Sequence, residues 1–173
     1  STRGQAVKVS MALHFGDAAS LANWGEAPDA LAALLDKGTH QLSRQQVQDR
    51  LDALQADLSF DGAPGQITVH LSTRREHLTG AIALLAEMLR QPALPAEALE
   101  EVRRQALSGL DAQRKEPAAV LSEALSRHGN PYPRGDVRHA RTFDEIESDW
   151  KSLQLERVKR LAQRLDAQPA QQL

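Results

Sequence analysis

The chain has 173 residues, of which 41% are hydrophobic and 25% charged, the composition of one folded domain with its own core. Its formal net charge of -2 and its 3% aromatic content argue against nucleic-acid binding, which requires a basic surface and often aromatic stacking. No apolar run approaches the roughly 20 residues of a membrane-spanning helix, and the absence of cysteine excludes disulfides and thiol chemistry. We therefore expect a single domain over residues 1–173, with disordered ends at residues 1–5 and 167–173, no nucleic-acid partner and no membrane span.

The first predicted element is a strand over residues 6–15, because its side chains alternate between apolar and polar. The apolar set is Val7, Val9, Met11, Leu13 and Phe15, and the set between them is Lys8, Ser10, Ala12 and His14. A helix near residues 27–37 follows, and Gly38 is expected to end it.

A capping box predicts the start of the second helix, with Ser43 at the cap and Gln46 three residues later. Residues 56–60 and 66–73 flank a Gly-Pro turn, which predicts a β-hairpin. In the second strand of this hairpin, one face carries Ile67, Val69 and Leu71 and the other carries Thr68, His70 and Ser72.

The rest of the chain predicts only helices, over about 78–90, 96–110, 117–127 and 142–166. Ile82 belongs to the apolar face of the first of these, and Thr142 with Glu145 forms a second capping box at the start of the last. Glu100, Glu101, Arg103 and Arg104 predict an exposed, charged helix face. Antiparallel strands grouped apart from the helices predict an α+β fold, a small antiparallel sheet with helices packed on one face.

Four segments follow one another along the chain: Lys37-Gly38-Thr39, RLDALQADLSFDG, LLAEMLRQPALPAEALEEVRRQ and NPYPRGDVRHARTFDEI. In this order they resemble one half of a pitrilysin/insulinase-type zinc metallopeptidase, the family that includes the mitochondrial processing peptidases, in which Lys-Gly-Thr ends the helix G-x-A-H-x-x-E-H-x-x-x-K-G-T. The resemblance covers roughly residues 6–165, and the order of the segments is a stronger signal than any one of them.

The resemblance implies that the metal site of the family is degenerate in this chain. Aligned on Lys37-Gly38-Thr39, the two zinc-binding His positions fall on Asp29 and Ala33, and the general-base Glu position falls on Ala32. The third ligand, a Glu of the later helix, falls on the Ser108-Gly109 pair. Alanine offers neither a ligand nor a base, and one carboxylate does not hold zinc. We therefore expect no catalytic residue, no metal and no cofactor.

The function that the resemblance implies is that of a non-catalytic domain of a bacterial zinc metallopeptidase. Such a domain would form the peptidase chamber, bind substrate or hold the active copy of the fold; the alternative is a structural or binding subunit with no peptidase partner. The implied partners are a catalytically active homologous domain or subunit and the peptide substrate of the parent enzyme. We expect the periplasm as its location, with the cytoplasm as the alternative.

The polar face of the predicted sheet is expected to line the chamber, because the apolar face is needed to pack the helices. Its residues are Lys8, Ser10, His14, Thr68, His70 and Ser72. A metal site formed by His14 and His70 is the competing interpretation, but no third ligand is evident. The cluster of basic residues over 127–141 predicts either a docking site for an acidic partner or a solvated loop, of which we favour the loop.

The resemblance also implies that further strands of the family sheet lie outside this chain. We therefore expect a reduced sheet of about three strands. An open sheet edge or an uncovered helix face should then allow the chain to dimerise.

Overall fold

The computed structural model describes residues 5–16, 20–22 and 24–167, so residues 1–4 and 168–173 of the ends expected to be disordered lie outside it. Within those ranges the order of strands and α-helices is β1 Ala6–His14, α1 Ala27–Leu34, α2 Arg44–Ala53, β2 Asp57–Ala63, β3 Gln66–Arg74, α3 Leu78–Arg90, α4 Ala96–Gln113, α5 Pro117–His128, α6 Phe143–Ser152 and α7 Leu155–Ala167. No helix of this part of the chain is both long enough and apolar enough to cross a membrane.

The three strands form one antiparallel sheet in the order β1-β3-β2, with β3 in the middle. Val69 of β3 lies opposite Met11 of β1 and Phe60 of β2. Ile67, Val69 and Leu71 are buried on one face, and the intervening residues point away from it. The predicted α+β fold and the three-stranded sheet are therefore confirmed.

The main core lies between the apolar face of the sheet and the helices α1, α4, α6 and α7. Helix α1 crosses β2 at close range, and glycine is required at the crossing. A Cβ atom added at Gly62 would lie 2.3 Å from the carbonyl oxygen of Pro28, which is far inside van der Waals contact. Gly62 thus fixes how closely the first helix approaches the sheet.

A second apolar cluster joins α2 and α3, and its buried residues are Leu42, Val47, Leu51, Leu84 and Met88. The Ser43–Gln46 capping box is present at the start of α2, as predicted. The turn before it is built on Gly38, whose φ of 126° is a conformation that only glycine adopts readily. Thr39 then ties this turn to α3, because its hydroxyl donates a 2.7 Å hydrogen bond to Glu87.

Three predictions made from the helical part of the sequence are wrong in detail. The last helical region is two helices, because Leu153 adopts an extended backbone (ψ 124°) and is buried between α6 and α7. Ile82 is exposed, since α3 buries Ala81, Leu84 and Met88 on its opposite side. Arg103 does not lie on an exposed face: its guanidinium reaches the carbonyl oxygens at the end of α6.

Candidate functional site

The positions that the resemblance aligns with the family's zinc site lie on α1 and α4. Asp29 is half-buried in the first turn of α1, Ala32 is 3% exposed, and Ala33 is half-buried against the core. Ser108 and Gly109 are exposed on α4, and a Cβ added at Gly109 would meet no atom within 4 Å.

These residues do not fit a zinc ion. A zinc site needs three or four nitrogen, sulfur or oxygen ligands, and Asp29 is the only one of the three α1 positions whose side chain carries such an atom. Across the ranges that the structure describes, no group of three or more His, Cys, Asp or Glu residues is arranged to hold a metal. We therefore derive no chemical step through a metal in this chain.

Asp29 belongs instead to a partly buried cluster of charged residues centred on Arg141. The Nη1 atom of Arg141 lies 2.5 Å from Oε1 of Glu26 and 3.0 Å from Oδ2 of Asp149. Glu26 is 6% exposed, and burial raises its pKa against the opposing effect of Arg141. Burial likewise raises the pKa of Asp29, and Arg141 again opposes the shift. The cluster thus contains three carboxyl groups but only one guanidinium group.

A second polar cluster holds the loop between α5 and α6 in place. The Nδ1 atom of His139 lies 3.0 Å from the carbonyl oxygen of Tyr132, and its Nε2 atom lies 3.2 Å from Oε2 of Glu145. Both oxygens are acceptors, and the tautomer of His139 decides which of them receives its ring N–H. The backbone N–H of Thr142, with smaller contributions from His139 and Arg134, lowers the pKa of Glu145.

Three arginines of this loop form ion pairs with acids of the same domain. Arg134 pairs with Glu145 at 3.1 Å, and Arg141 pairs with the acids of the first cluster. Arg138 stacks 3.9 Å from the centroid of the Tyr132 ring and also pairs with Asp136. Arg134 and Arg138 nevertheless remain largely exposed, with 77% and 56% of their side-chain surface accessible, as expected of the solvated loop that we favoured, whereas Arg141 is partly buried.

A cavity of about 490 Å³ opens between this loop, α6 and the start of α1. Its lining includes Trp24, Pro28, Pro64, Arg134, His139 and Arg157. Sequence reasoning missed this cavity. The Thr142–Glu145 capping box marks one of its walls, but no local pattern indicates that α1 forms another.

The six residues predicted to line the chamber share the face of the sheet that turns away from the core. Lys8, Ser10, His14 and His70 are exposed, whereas Thr68 and Ser72 are half-buried. Ser10 lies directly opposite His70, and Lys8 lies opposite Ser72. His14 lies opposite Gln66, so it is four residues, or about 13 Å, along the sheet from His70. The two histidines therefore do not share a metal.

Comparison with known families shows to which family the chain belongs. The sequence profile of insulinase (peptidase family M16) matches residues 30–133, which include Ala32, Ala33, Ser108 and Gly109. The chain belongs to the insulinase family, M16. The match begins inside α1 of this M16 domain, where residues 32 and 33 are both alanine. Among curated proteins no sequence matches the chain significantly.

Solved structures share the fold of this M16 domain. They include the peptidase M16 inactive domain from Pseudomonas fluorescens (18% identity, TM-score 0.77, 94% of this chain and 39% of that chain). A protease from Helicobacter pylori is similar at 13% identity and a TM-score of 0.72, and the match covers 91% of this chain and 38% of that one. The periplasmic protease PqqL from Escherichia coli is similar at 13% identity and a TM-score of 0.64, and the match covers 94% of this chain and 17% of that one. The chain therefore spans about two fifths or less of the length of each of these structures.

Proposed function

We propose that this M16 domain is a non-catalytic domain of a bacterial zinc metallopeptidase. The observation that carries the proposal is the composition of α1, where Asp29, Ala32 and Ala33 replace two ligands and a base while the helix keeps its packing on β2. A helix that has kept its core contacts and lost its reacting groups supports a role in shape and binding rather than in chemistry.

The role we propose is to form part of the peptidase chamber and bind substrate there. The polar face of β1 and β3 supports this role, because it is accessible and faces away from the helices. A groove of about 310 Å³ beside His70 and Ser72 adds a surface where a peptide could lie. Within the described sheet β2 is an edge strand, and an extended peptide can pair with such an edge.

The partner we propose is a homologous domain or subunit that has an intact H-x-x-E-H motif, on the same or another chain. The solved structures above contain far more chain than this domain covers, which supports such a neighbour. The periplasm is the location we propose, and the periplasmic protease among the similar structures supports it.

Two measurements test this proposal. The purified chain should hold no stoichiometric zinc after zinc loading and dialysis, and it should cleave no peptide.

In a complex with the active homologue, Ser10→Trp and His70→Trp should weaken the binding of substrate peptide, whereas Asp111→Trp, on the exposed side of α4, should leave it unchanged. One tightly bound zinc, or equal behaviour of the three tryptophan variants, would contradict the proposal. A chain that assembles stably but leaves peptide binding and cleavage unaffected would instead be a structural subunit.

A further inference from the structure

Arg157, in the first turn of α7, is a half-buried cation without a partner. Its guanidinium makes no side-chain hydrogen bond and no ion pair in the described part of the chain. Every other half-buried arginine or lysine of that part has an acceptor. The acceptors are Asp36 for Lys37, the Leu153 carbonyl oxygen for Arg103, Asp144 for Arg114, Glu26 for Arg141 and Glu156 for Lys159.

The helix itself does not account for the charge of Arg157. Residues three and four positions apart share one face of a helix. For Arg157 these positions hold Leu153, Gln154, Arg160 and Leu161, none of which is acidic. A cation in the first turn also lies at the positive end of the helix dipole, where it is slightly unfavourable. A guanidinium that is partly removed from water ordinarily has an acceptor, and here the domain supplies none.

Arg157 lines the cavity of about 490 Å³ between the α5–α6 loop, α6 and the start of α1, which has the volume of a small-ligand pocket. The other arginines and aspartates of the lining form ion pairs within the domain. The pairs are Arg134 with Glu145, Arg141 with Asp149, and Asp136 with Arg138. The positive charge of Arg157 is therefore left over in the cavity.

The same cavity has apolar surface beside this charge. Its lining includes Leu21, Trp24, Pro64 and Val137. The indole N–H of Trp24 donates a 2.7 Å hydrogen bond to the carbonyl oxygen of Ser20. Because this is the only polar hydrogen of the side chain, the rest of the ring is apolar surface. A ligand that matches the cavity thus carries an anionic group and an apolar group close together.

We propose that this cavity binds a carboxylate group of a peptide, with the Arg157 guanidinium as its ion-pair partner and an adjacent aliphatic side chain of the peptide against the apolar lining. A planar guanidinium can donate two parallel hydrogen bonds to a carboxylate. Two groups of a peptide offer this chemistry, the α-carboxylate at the C-terminus and the side chain of Asp or Glu. The proposal rests on the proposed function, because it names the chemical group of the substrate that this domain holds. The cavity shares no residue with the groove beside His70 and Ser72.

NMR titration of the purified, ¹⁵N-labelled chain with three small probes tests the proposal. N-acetyl-leucine carries an α-carboxylate, the α-amide of N-acetyl-glutamic acid carries only a side-chain carboxylate, and N-acetyl-leucinamide carries neither. The indole N–H signal of Trp24 reports on the cavity, and that of Trp150, which is buried and outside the lining, is the internal reference. We expect a dissociation constant on the order of 1 mM for at least one carboxylate and binding of the leucinamide that is at least about tenfold weaker. Binding of the first probe alone identifies a peptide C-terminus, and binding of the second alone identifies an acidic side chain.

Variants of α7 test the role of Arg157 directly. Arg157→Gln should weaken the binding of the carboxylate at least about tenfold, and Arg157→Lys, which keeps the charge but loses the paired donors, should weaken it less. Arg160→Gln removes the same charge from an exposed position of the same helix and should change the affinity less than about twofold. Circular dichroism shows whether each variant is folded. If Arg157→Gln does not fold, the comparison of N-acetyl-leucine with its amide in the unchanged chain still decides the requirement for a carboxylate.

Four results would overturn the proposal: no shift of the Trp24 signal with either carboxylate, equal affinity for N-acetyl-leucine and its amide, unchanged affinity in folded Arg157→Gln, or tighter binding of inorganic phosphate than of either carboxylate. These results are separate from a failure of the proposed function. If no carboxylate binds but Ser10→Trp and His70→Trp weaken substrate binding in the complex, only the assignment of the cavity is wrong. One tightly bound zinc would contradict the proposed function and leave the result for the cavity unchanged.

Discussion

The Arg103 guanidinium donates a 2.8 Å hydrogen bond to the carbonyl oxygen of Leu153 and so secures the break between α6 and α7. It also donates to the carbonyl oxygen of Lys151 at 2.9 Å and to that of Trp150. Helix ends leave their last carbonyl groups without partners inside the helix. One arginine of α4 therefore caps α6 across the core, although its own Nε atom is buried with no hydrogen-bond partner.

Replacing Arg103 should destabilise the domain strongly. We expect Arg103→Met to lower the free energy of unfolding by about 2–4 kcal/mol, because the carbonyl groups at the end of α6 lose a charged donor. The neighbouring exposed residue provides a matched control, and Arg104→Met should cost less than about 0.5 kcal/mol. Urea unfolding followed by circular dichroism measures both, and equal losses would show that the capping by Arg103 contributes nothing.

Two glycines should respond to alanine with opposite signs. Gly62→Ala should lower the free energy of unfolding by about 1–3 kcal/mol or more, because its Cβ would collide with the backbone of α1 at Pro28. Gly109→Ala should raise it by about 0.5–1 kcal/mol, because alanine favours the helix and meets no neighbour there. Thermal and urea unfolding measure both variants. If Gly62→Ala left the free energy of unfolding unchanged, the close crossing of α1 and β2 would be contradicted.

Asp29 should make the domain less stable as the pH rises. Its folded-state pKa is raised, so its contribution to stability is complete below the ordinary pKa of about 3.9 and is lost as the pH rises through the folded-state value. Asp29→Asn removes this dependence, so the variant should gain stability relative to the parent as the pH rises from about 4 to about 7. Urea unfolding across this range measures the change, and a constant difference between the two proteins would show that Asp29 is not desolvated.

Glu145 should behave in the opposite way. The backbone N–H of Thr142 lowers the pKa of Glu145. The ionised carboxylate therefore stabilises the fold fully above the ordinary glutamate pKa of about 4.3, and this contribution is lost as the pH falls through the lowered folded-state pKa. Glu145→Gln should destabilise the domain at neutral pH and progressively less towards acid, as urea unfolding at a series of pH values would measure. A difference between Glu145→Gln and the parent that stays constant across the pH series would rule out a special role for the Glu145 carboxylate.

Restoring the family's ligands should create a zinc site. Asp29→His, Ala32→Glu and Ala33→His with Gly109→Glu (or Ser108→Glu) should give measurable zinc affinity but little peptide cleavage, because the supporting hydrogen bonds were not retained. Ala32 is almost fully buried, so the Glu should also lower stability. Calorimetric titration with zinc measures affinity, and the variant that keeps Ala33 is the control. A folded quadruple variant that binds zinc no better than this control would show that the alignment on Lys37-Gly38-Thr39 is wrong.

Features that depend on neighbours within a few residues can be predicted from the amino-acid sequence alone. Alternation over residues 6–15 predicted β1, and the Ser43–Gln46 and Thr142–Glu145 patterns located the starts of α2 and α6. These predictions succeed because strand faces and helix caps are decided by contacts at spacings of two to four residues. The replacement of the family's ligand positions by Asp29, Ala32 and Ala33 could also be read from the sequence, since it is a matter of residue identity alone.

The partners of several charged and apolar side chains depend instead on elements that are far away in the chain. The residues next to Arg103 and Arg141 in the sequence indicate that both side chains are exposed to solvent. Instead, Arg103 donates a hydrogen bond to the carbonyl oxygen of Leu153, and Arg141 forms an ion pair with Glu26. The apolar pattern of α5 indicates an ordinary packed helix, whereas the fold turns its leucines outward. The physical reason is that periodicity specifies which residues share a face, but only the packing of other elements decides whether that face meets the core or solvent.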